Sequence, residues 1–190
     1  MQRAARTERP RRKAPRAAAM DAIALLKADH RKVERLFKRY EKSKSKSVKA
    51  KVAQQICLEL SVHTTIEEEL FYPTVRGAVD EEIHDEAYVE HDGAKVLIAE
   101  LLKGTPEDDF YDAKVTVLSE MIKHHVKEEE QPGGLFAQAK RDHVDFDKLT
   151  RNMKALKSNM LENIKSAGGV PTPATRSMKG VELERRKPVA

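Results

Sequence analysis

The chain has 190 residues, 35% of them charged, 5% aromatic and none tryptophan, a balance that suits amphipathic helices and argues against a sheet rich in aromatic residues. No apolar run approaches the roughly eighteen residues of a membrane span, no signal-peptide core is present, and the lone Cys57 excludes an internal disulfide, so a cytoplasmic protein without a membrane partner is expected. The net charge of +5 is uneven: residues 1–19 are +6, residues 166–190 are +3 and residues 20–165 are −4, so the basicity belongs to the tails and no specific nucleic-acid surface is expected.

Residues 1–19 lack apolar periodicity and read as a disordered basic tail, with Met20-Asp21 a clean helix opening and an alternative start. A first helix is predicted over about 21–42, where Ile23, Leu26, His30, Val33, Phe37 and Tyr40 recur at helical spacing. After a polar connector, a second helix over about 48–75 places Val52, Ile56, Leu60, His63, Glu67 and Leu70 on one stripe, with Pro73 and Gly77 marking its end. A third, about 80–103, carries Ile83, Ala87, His91, Ala94, Ile98 and Leu101 and stops at Gly104. Thr105-Pro106-Glu107-Asp108 then predicts the start of a fourth, with Thr as N-cap and Pro in the first position. Its face is Tyr111, Val115, Leu118, Ile122, His125 and Glu129, until Gln131-Pro132-Gly133-Gly134 breaks it. A last amphipathic helix is predicted over about 135–165, kinked near Asp142, before a flexible tail over 166–190. The expected fold is all-α: an antiparallel up-down-up-down four-helix bundle over 20–140, a C-terminal helix over 141–165 packed on it, and disordered tails.

Chemistry enters through six polar residues on the apolar stripes: His30, His63, Glu67, His91, His125 and Glu129. A buried carboxylate without a partner costs several kcal/mol, so two of them with four imidazoles in one layer are hard to justify as packing. A metal pair supplies the opposing charge and takes their lone pairs. Six mixed N and O donors are too many for one tetrahedral zinc and suit two ions of iron, manganese or zinc, bridged by Glu67 and Glu129. His124 and Glu128 share the spacing of His125 and Glu129, but steps of 3, 7, 10 and 14 back from His125 meet Ile122, Leu118, Val115 and Tyr111. From His124 they meet Met121, Val117, Lys114 and Phe110, so His125 is the inward residue. His84 and His143 fall outside the ligand layer and read as surface histidines, the remaining acids of the EEE runs read as solvated, and Cys57 points away from the His63 face.

DHRKVERLF, HTTIEEELFYP, the EH of EHDGAKVLIAEL and HHVKEEE together resemble the hemerythrin-like (HHE cation-binding) domains over about residues 20–140. The resemblance implies a four-helix bundle around an oxo- or hydroxo-bridged non-haem di-iron centre (two Fe ions, with Mn or Zn the lesser choices). By position, His30, His63, His91 and His125 would be terminal ligands and Glu67 and Glu129 bridges. It implies a protein that binds or reacts with O2, NO or peroxide, in sensing, iron handling or oxidative and nitrosative stress defence, with that small molecule as its partner. Oxygen-carrying hemerythrins place two histidines a turn apart on the third helix; here His91 is flanked at that spacing by Ala87 and Lys95, which leaves a place open and favours reaction over storage. The carriers also use an Asp one residue beyond the position of Glu129, and Gln131–Gly134 interrupts the usual run into LeuPhe. A metal-stabilised interaction or sensor module without turnover, O2 storage and a metal-free helical scaffold are the alternatives; enzymatic turnover, and monomer against homodimer, stay open.

Overall fold

The computed structural model describes residues 21–140 and 145–180. The basic segment 1–19, Met20, His143 and the kink expected near Asp142 lie outside the described residues. Helix α1 (Ala22–Lys42) opens where the Asp21 carboxylate accepts the Ala24 amide at 2.7 Å and closes on the basic residues Arg39 and Lys42, which suit a helix C-terminus. After a short link, α2 (Lys46–Ile66) runs without interruption into a π-helical turn, Glu67–Phe71, and then α3 (Tyr72–Val75).

Pro73 accounts for that turn. It has no N–H, and its ring would press on the carbonyl four residues back. The wider turn relieves the clash, with the Tyr72 amide donating to the Glu67 carbonyl five residues earlier. This extra residue shifts the buried face. Beyond Glu67 the stripe passes not to Leu70, which is half-buried, but to Phe71 and Tyr72, both 0% exposed. Tyr72 thereby shares the inward face of Glu67, although five residues in an α-helix would set them well apart.

Helix α4 (Glu81–Lys103) stops at Gly104 as expected. The helix start predicted at Thr105 is corrected by the structure. The Asp108 carboxylate accepts the Thr105 amide at 2.8 Å and closes a turn, and α5 (Tyr111–Glu130) begins only after Phe110, whose φ of 64° is left-handed. The long final helix is two helices: α6 (Leu135–Ala139) and α7 (Phe146–Ala167), the latter capped by the Asp145 carboxylate on the Lys148 amide at 2.9 Å.

The break at Gln131–Gly134 is a structural turn. A Cβ at Gly134 would run into the Glu128 carbonyl and stand 3.0 Å from that of Glu129, so only glycine lets the chain fold back so closely. The turn delivers Leu135 and Phe136 to the bundle, and Phe136 stacks on the His30 ring with centroids 5.8 Å apart.

Two apolar clusters fill the interior. One takes Ile23 and Leu26 of α1, Val62 and Ile66 of α2, Ala87 of α4, and Leu135 and Phe136. The other takes Val33 and Phe37, Ile56 and Leu60, Ile98 and Leu101, and Leu118 and Ile122. Along α1, α2 and α4 the order of the two clusters alternates, and α5 runs from the second cluster towards Leu135 and Phe136 of the first, which is the up-down-up-down antiparallel bundle. Helix α1 packs on α2, α4 on α5 and α2 on α4, while α7 lies against α1 and α2 and buries Leu149 and Met153 in the first cluster. His30 of α1 and His91 of α4 fall between the two clusters, and His63, Glu67, His125 and Glu129 lie at the same level, where the clusters meet. Among the described residues no helix is long and apolar enough to cross a membrane.

Candidate metal centre

The structure brings all six singled-out residues together, each 4% exposed or less. His63 Nε2 lies 3.0 Å and His91 Nε2 3.3 Å from the same oxygen of Glu67. His30 Nε2 lies 3.4 Å and His125 Nε2 3.7 Å from one oxygen of Glu129. His30 and His63 face each other through Nε2 at 3.1 Å, and so do His91 and His125. Two groups of converging donors result, His30–His63–Glu67–Glu129 and Glu67–His91–His125, with Glu67 common to both. His124 stays outside, its side chain 58% exposed.

A second ring of acids orients these imidazoles. His30 Nδ1 meets Glu130 at 2.8 Å, His91 Nδ1 meets Glu68 at 3.0 Å and His125 Nδ1 meets Glu90 at 2.8 Å. Asp29 stands 3.9 Å from His63 Nδ1, close enough for charge but not for a hydrogen bond. The arrangement is cyclic. Helix α1 lends an acid to the histidine of α2, the turn after α2 to that of α4, α4 to that of α5, and α5 back to α1. Three of these acids are in turn met by a cation, Asp29 by Lys157, Glu68 by Lys95 and Glu130 by Arg31, while Glu90 lies 3.4 Å from His124 Nε2.

At His30, His91 and His125 the carboxylate only accepts, so it places the ring proton on Nδ1 and leaves the Nε2 lone pair bare. Paired bare nitrogens 3.1 Å apart repel unless a cation or proton stands between them. Neither oxygen of Glu67 has a hydrogen-bond partner, and Glu129 Oε2 has none either. Buried lone pairs aimed at one another and at nothing else fit a bound cation, and the donor set suits iron, manganese or zinc. Protons do part of this work in the metal-free protein. Burial alone would depress His63, but Glu67, Asp29 and Glu129 together outweigh it and carry the imidazole to about 10. His125 is raised in the same way, burial being outweighed by Glu129 and Glu90. Glu67 is held well below the usual carboxylate range by His63 and His91 despite its burial. A metal bound here would displace protons from the imidazoles.

Several residues at the site escaped the sequence reading. The Tyr72 hydroxyl donates to Glu129 Oε1 at 3.0 Å and lies 3.3 Å from His91 Nε2, an added oxygen inside the donor cluster. Burial and the charges of Glu129 and Glu67 push its phenol well above the usual range. Glu68 is buried, not solvated, because the π-helical turn rotates it inward. His84 is corrected from surface to interior: it is 2% exposed, with its ring 5.9 Å from Tyr72 and 5.2 Å from Tyr88. Its spacing of seven from His91 puts it on the same stripe, a signal available in the sequence. Lys95, dismissed as a ligand, is buried and paired with Glu68 at 2.6 Å and Asp92 at 3.1 Å. Cys57 is buried in the second apolar cluster.

Beside the donors lies an enclosed cavity of about 10 Å³, bounded by His30, His63, His91 and His125 on one side and Val33 and Ile122 on the other. It holds about one water-sized molecule. A surface cleft of about 390 Å³ between α1 and α5 shares His30, Ile122 and Val126 with it, so these side chains separate the cavity from solvent.

The sequence matches the Hemerythrin HHE cation binding domain over residues 21–132. A hemerythrin HHE cation binding domain-containing protein from Mycobacterium kansasii has a similar solved structure, with a TM-score of 0.63 and 19% identity, covering 79% of this chain and 95% of that one. A curated relative from Nostoc sp., described as a DNA nickase, is 29% identical over 158 residues, covering 82% of this chain; the chain spans 43% of that protein's length. With its bundle, its two His/Glu donor groups and a family match over most of the bundle, the chain belongs to the hemerythrin HHE cation-binding domain family.

Proposed function

We propose that the chain holds a pair of redox-active metal ions, iron foremost, through His30, His63, His91 and His125, with Glu67 and Glu129 between the two positions. We propose further that it binds or reacts with O2, NO or peroxide there, in sensing, iron handling or oxidative and nitrosative stress defence. One observation carries the reading: six buried donors converge in two groups beside a closed cavity of about 10 Å³. That volume admits a molecule of a few atoms and turns away larger substrates. Bound iron supplies the Lewis acidity and one-electron chemistry that such a ligand needs.

The chain's own groups do the rest. The apolar wall of Val33, Leu60 and Ile122 keeps bulk water from the cavity and strengthens every charge interaction inside it. Tyr72 keeps its proton at Oη, directed at Glu129, and places a hydroxyl donor inside the donor cluster. Ile122 and Val126 stand between the cleft and the cavity, on the direct path from one to the other.

The likeness to a DNA nickase raises phosphodiester cleavage as a second reading, but no duplex backbone can reach donors buried to this degree, and the match covers only 43% of that protein. Iron-loaded protein reduced under anaerobic conditions and then given air, NO or peroxide tests the proposal. New near-ultraviolet charge-transfer absorption that Glu67→Gln lacks is the expected outcome. Iron-loaded protein that changes its spectrum with none of the three overturns it.

A further inference from the structure

Residues 169–180 form neither helix nor strand, yet one stretch of them is firmly held. Asp92, next to His91 and 0% exposed, accepts the amides of Arg176 at 2.9 Å, Ser177 at 2.6 Å and Met178 at 3.2 Å, together with the Ser177 hydroxyl at 2.7 Å. Successive amides wrapped around a carboxylate form an anion-binding nest built from the chain's own backbone. The same turn brings the Arg176 guanidinium to Glu68, Nε to Oε2 at 2.7 Å, and its other arm to Glu69. Glu68 is the acid that accepts His91 Nδ1. Lys95 completes the group, reaching Glu68 and Asp92. Glu68, Glu69 and Asp92 thus share two cations, Arg176 and Lys95, behind His91, and the removal of one cation leaves a buried carboxylate short of a partner.

We propose that Arg176 is a positioning residue of the metal centre: the C-terminal segment, tied to Asp92, holds the Glu68 carboxylate against His91 Nδ1 and so aims His91 Nε2 at the donor cluster. The consequence for metal rests on the function proposed above; the geometry does not. Arg176 lies well beyond residue 132, where the family match ends, so this support is an addition to the matched domain. Lys157 of α7, on Asp29 beside His63, is placed alike. Lys95 alone cannot substitute for Arg176, because it is shared between two acids and lacks the planar fork that fixes a carboxylate's direction.

The test uses the full chain with Arg176→Ala, Arg176→Lys and Asp92→Asn. The nitrogen-15 spectrum of histidine side chains in the metal-free protein reads the His91 Nδ1–H directly. In the wild type this proton is expected to be protected from exchange; in Arg176→Ala and Asp92→Asn its signal should broaden or vanish, with partial rescue in Arg176→Lys. In metal-loaded protein, Arg176→Ala should release metal to a chelator about 10-fold faster, the low end of the range for groups that support a ligand. Helix content should stay as in wild type, and Arg35→Ala on the outer face of α1 should change neither readout. A wild-type His91 signal in Arg176→Ala overturns the proposal. If the variant frees that proton while the wild type takes up no metal, the positioning role stands and the metal reading falls.

Discussion

Glu67→Gln is the sharpest perturbation of the site, since Glu67 is the residue common to both donor groups. The amide keeps the shape and removes the charge. It also removes the largest of the charges that raise the buried His63, while Asp29 and Glu129 remain beside it. The metal-free variant is therefore expected to fold. A ligand that binds only the folded chain stabilises it by about 2.7 kcal/mol at a free concentration 100 times its Kd. In a domain of roughly 150–250 residues each kcal/mol moves the midpoint by about 2–4 °C, so saturating metal should raise the wild-type Tm by about 5–11 °C. Thermal unfolding followed by circular dichroism, with and without ferrous iron, measures this. Glu67→Gln should lose most of the rise, while Glu86→Gln, on the exposed face of α4, should keep it. An equal metal-dependent rise in wild type and Glu67→Gln would refute the assignment of Glu67 as the shared donor.

Glu90→Ala removes the acceptor of His125 Nδ1 and should weaken metal binding by roughly 10–100-fold in equilibrium dialysis, with the helices intact; unchanged affinity would show that Glu90 does not orient the ring. Gly134→Ala drives a methyl into the Glu128 carbonyl and should destabilise the chain by about 1–3 kcal/mol, read as a lower denaturant midpoint. An unaltered midpoint would show that the turn relaxes freely. Burial pushes the Cys57 thiol up to about 12, so it should resist thiol reagents at pH 8 until the chain is unfolded. The sign follows: the folded pKa is raised, so the stability linked to Cys57 is whole below the ordinary thiol value of 9 and drains as pH climbs towards 12. Cys57→Ser should flatten that part of an alkaline stability profile.

Much of the bundle was legible because its signals are periodic. Stepping back by whole turns separated His125 from His124, and the same stripes located His30, His63 and His91 between apolar neighbours. What escaped was local or long-range. Thr105-Pro106 carries every mark of a helix start, but Asp108 takes the Thr105 amide into a turn, a competition that propensity alone does not decide. The helix ends at Val75, where Pro73 and Gly77 mark it, but it widens into a π-helical turn just before Pro73, so Glu68 and Tyr72 turn inward against α-helical spacing. The ring of supporting acids left a fainter trace. Asp29, Glu68, Glu90 and Glu130 are each a sequence neighbour of a candidate ligand, yet each serves a histidine on another helix. Adjacency in sequence could flag them, but only the packing assigns their partners. The hold of Asp92 on Arg176–Met178 spans more than eighty residues and has no periodic signature at all.

Metal content is the most direct check on the central claim that six donors hold a metal pair. Protein produced with iron, desalted and analysed by mass spectrometry of the elements, should carry about two metal ions per chain, one for each donor group, and His63→Ala with His125→Ala should carry almost none. Wild-type protein that stays metal-free through loading with iron, manganese and zinc would contradict the account.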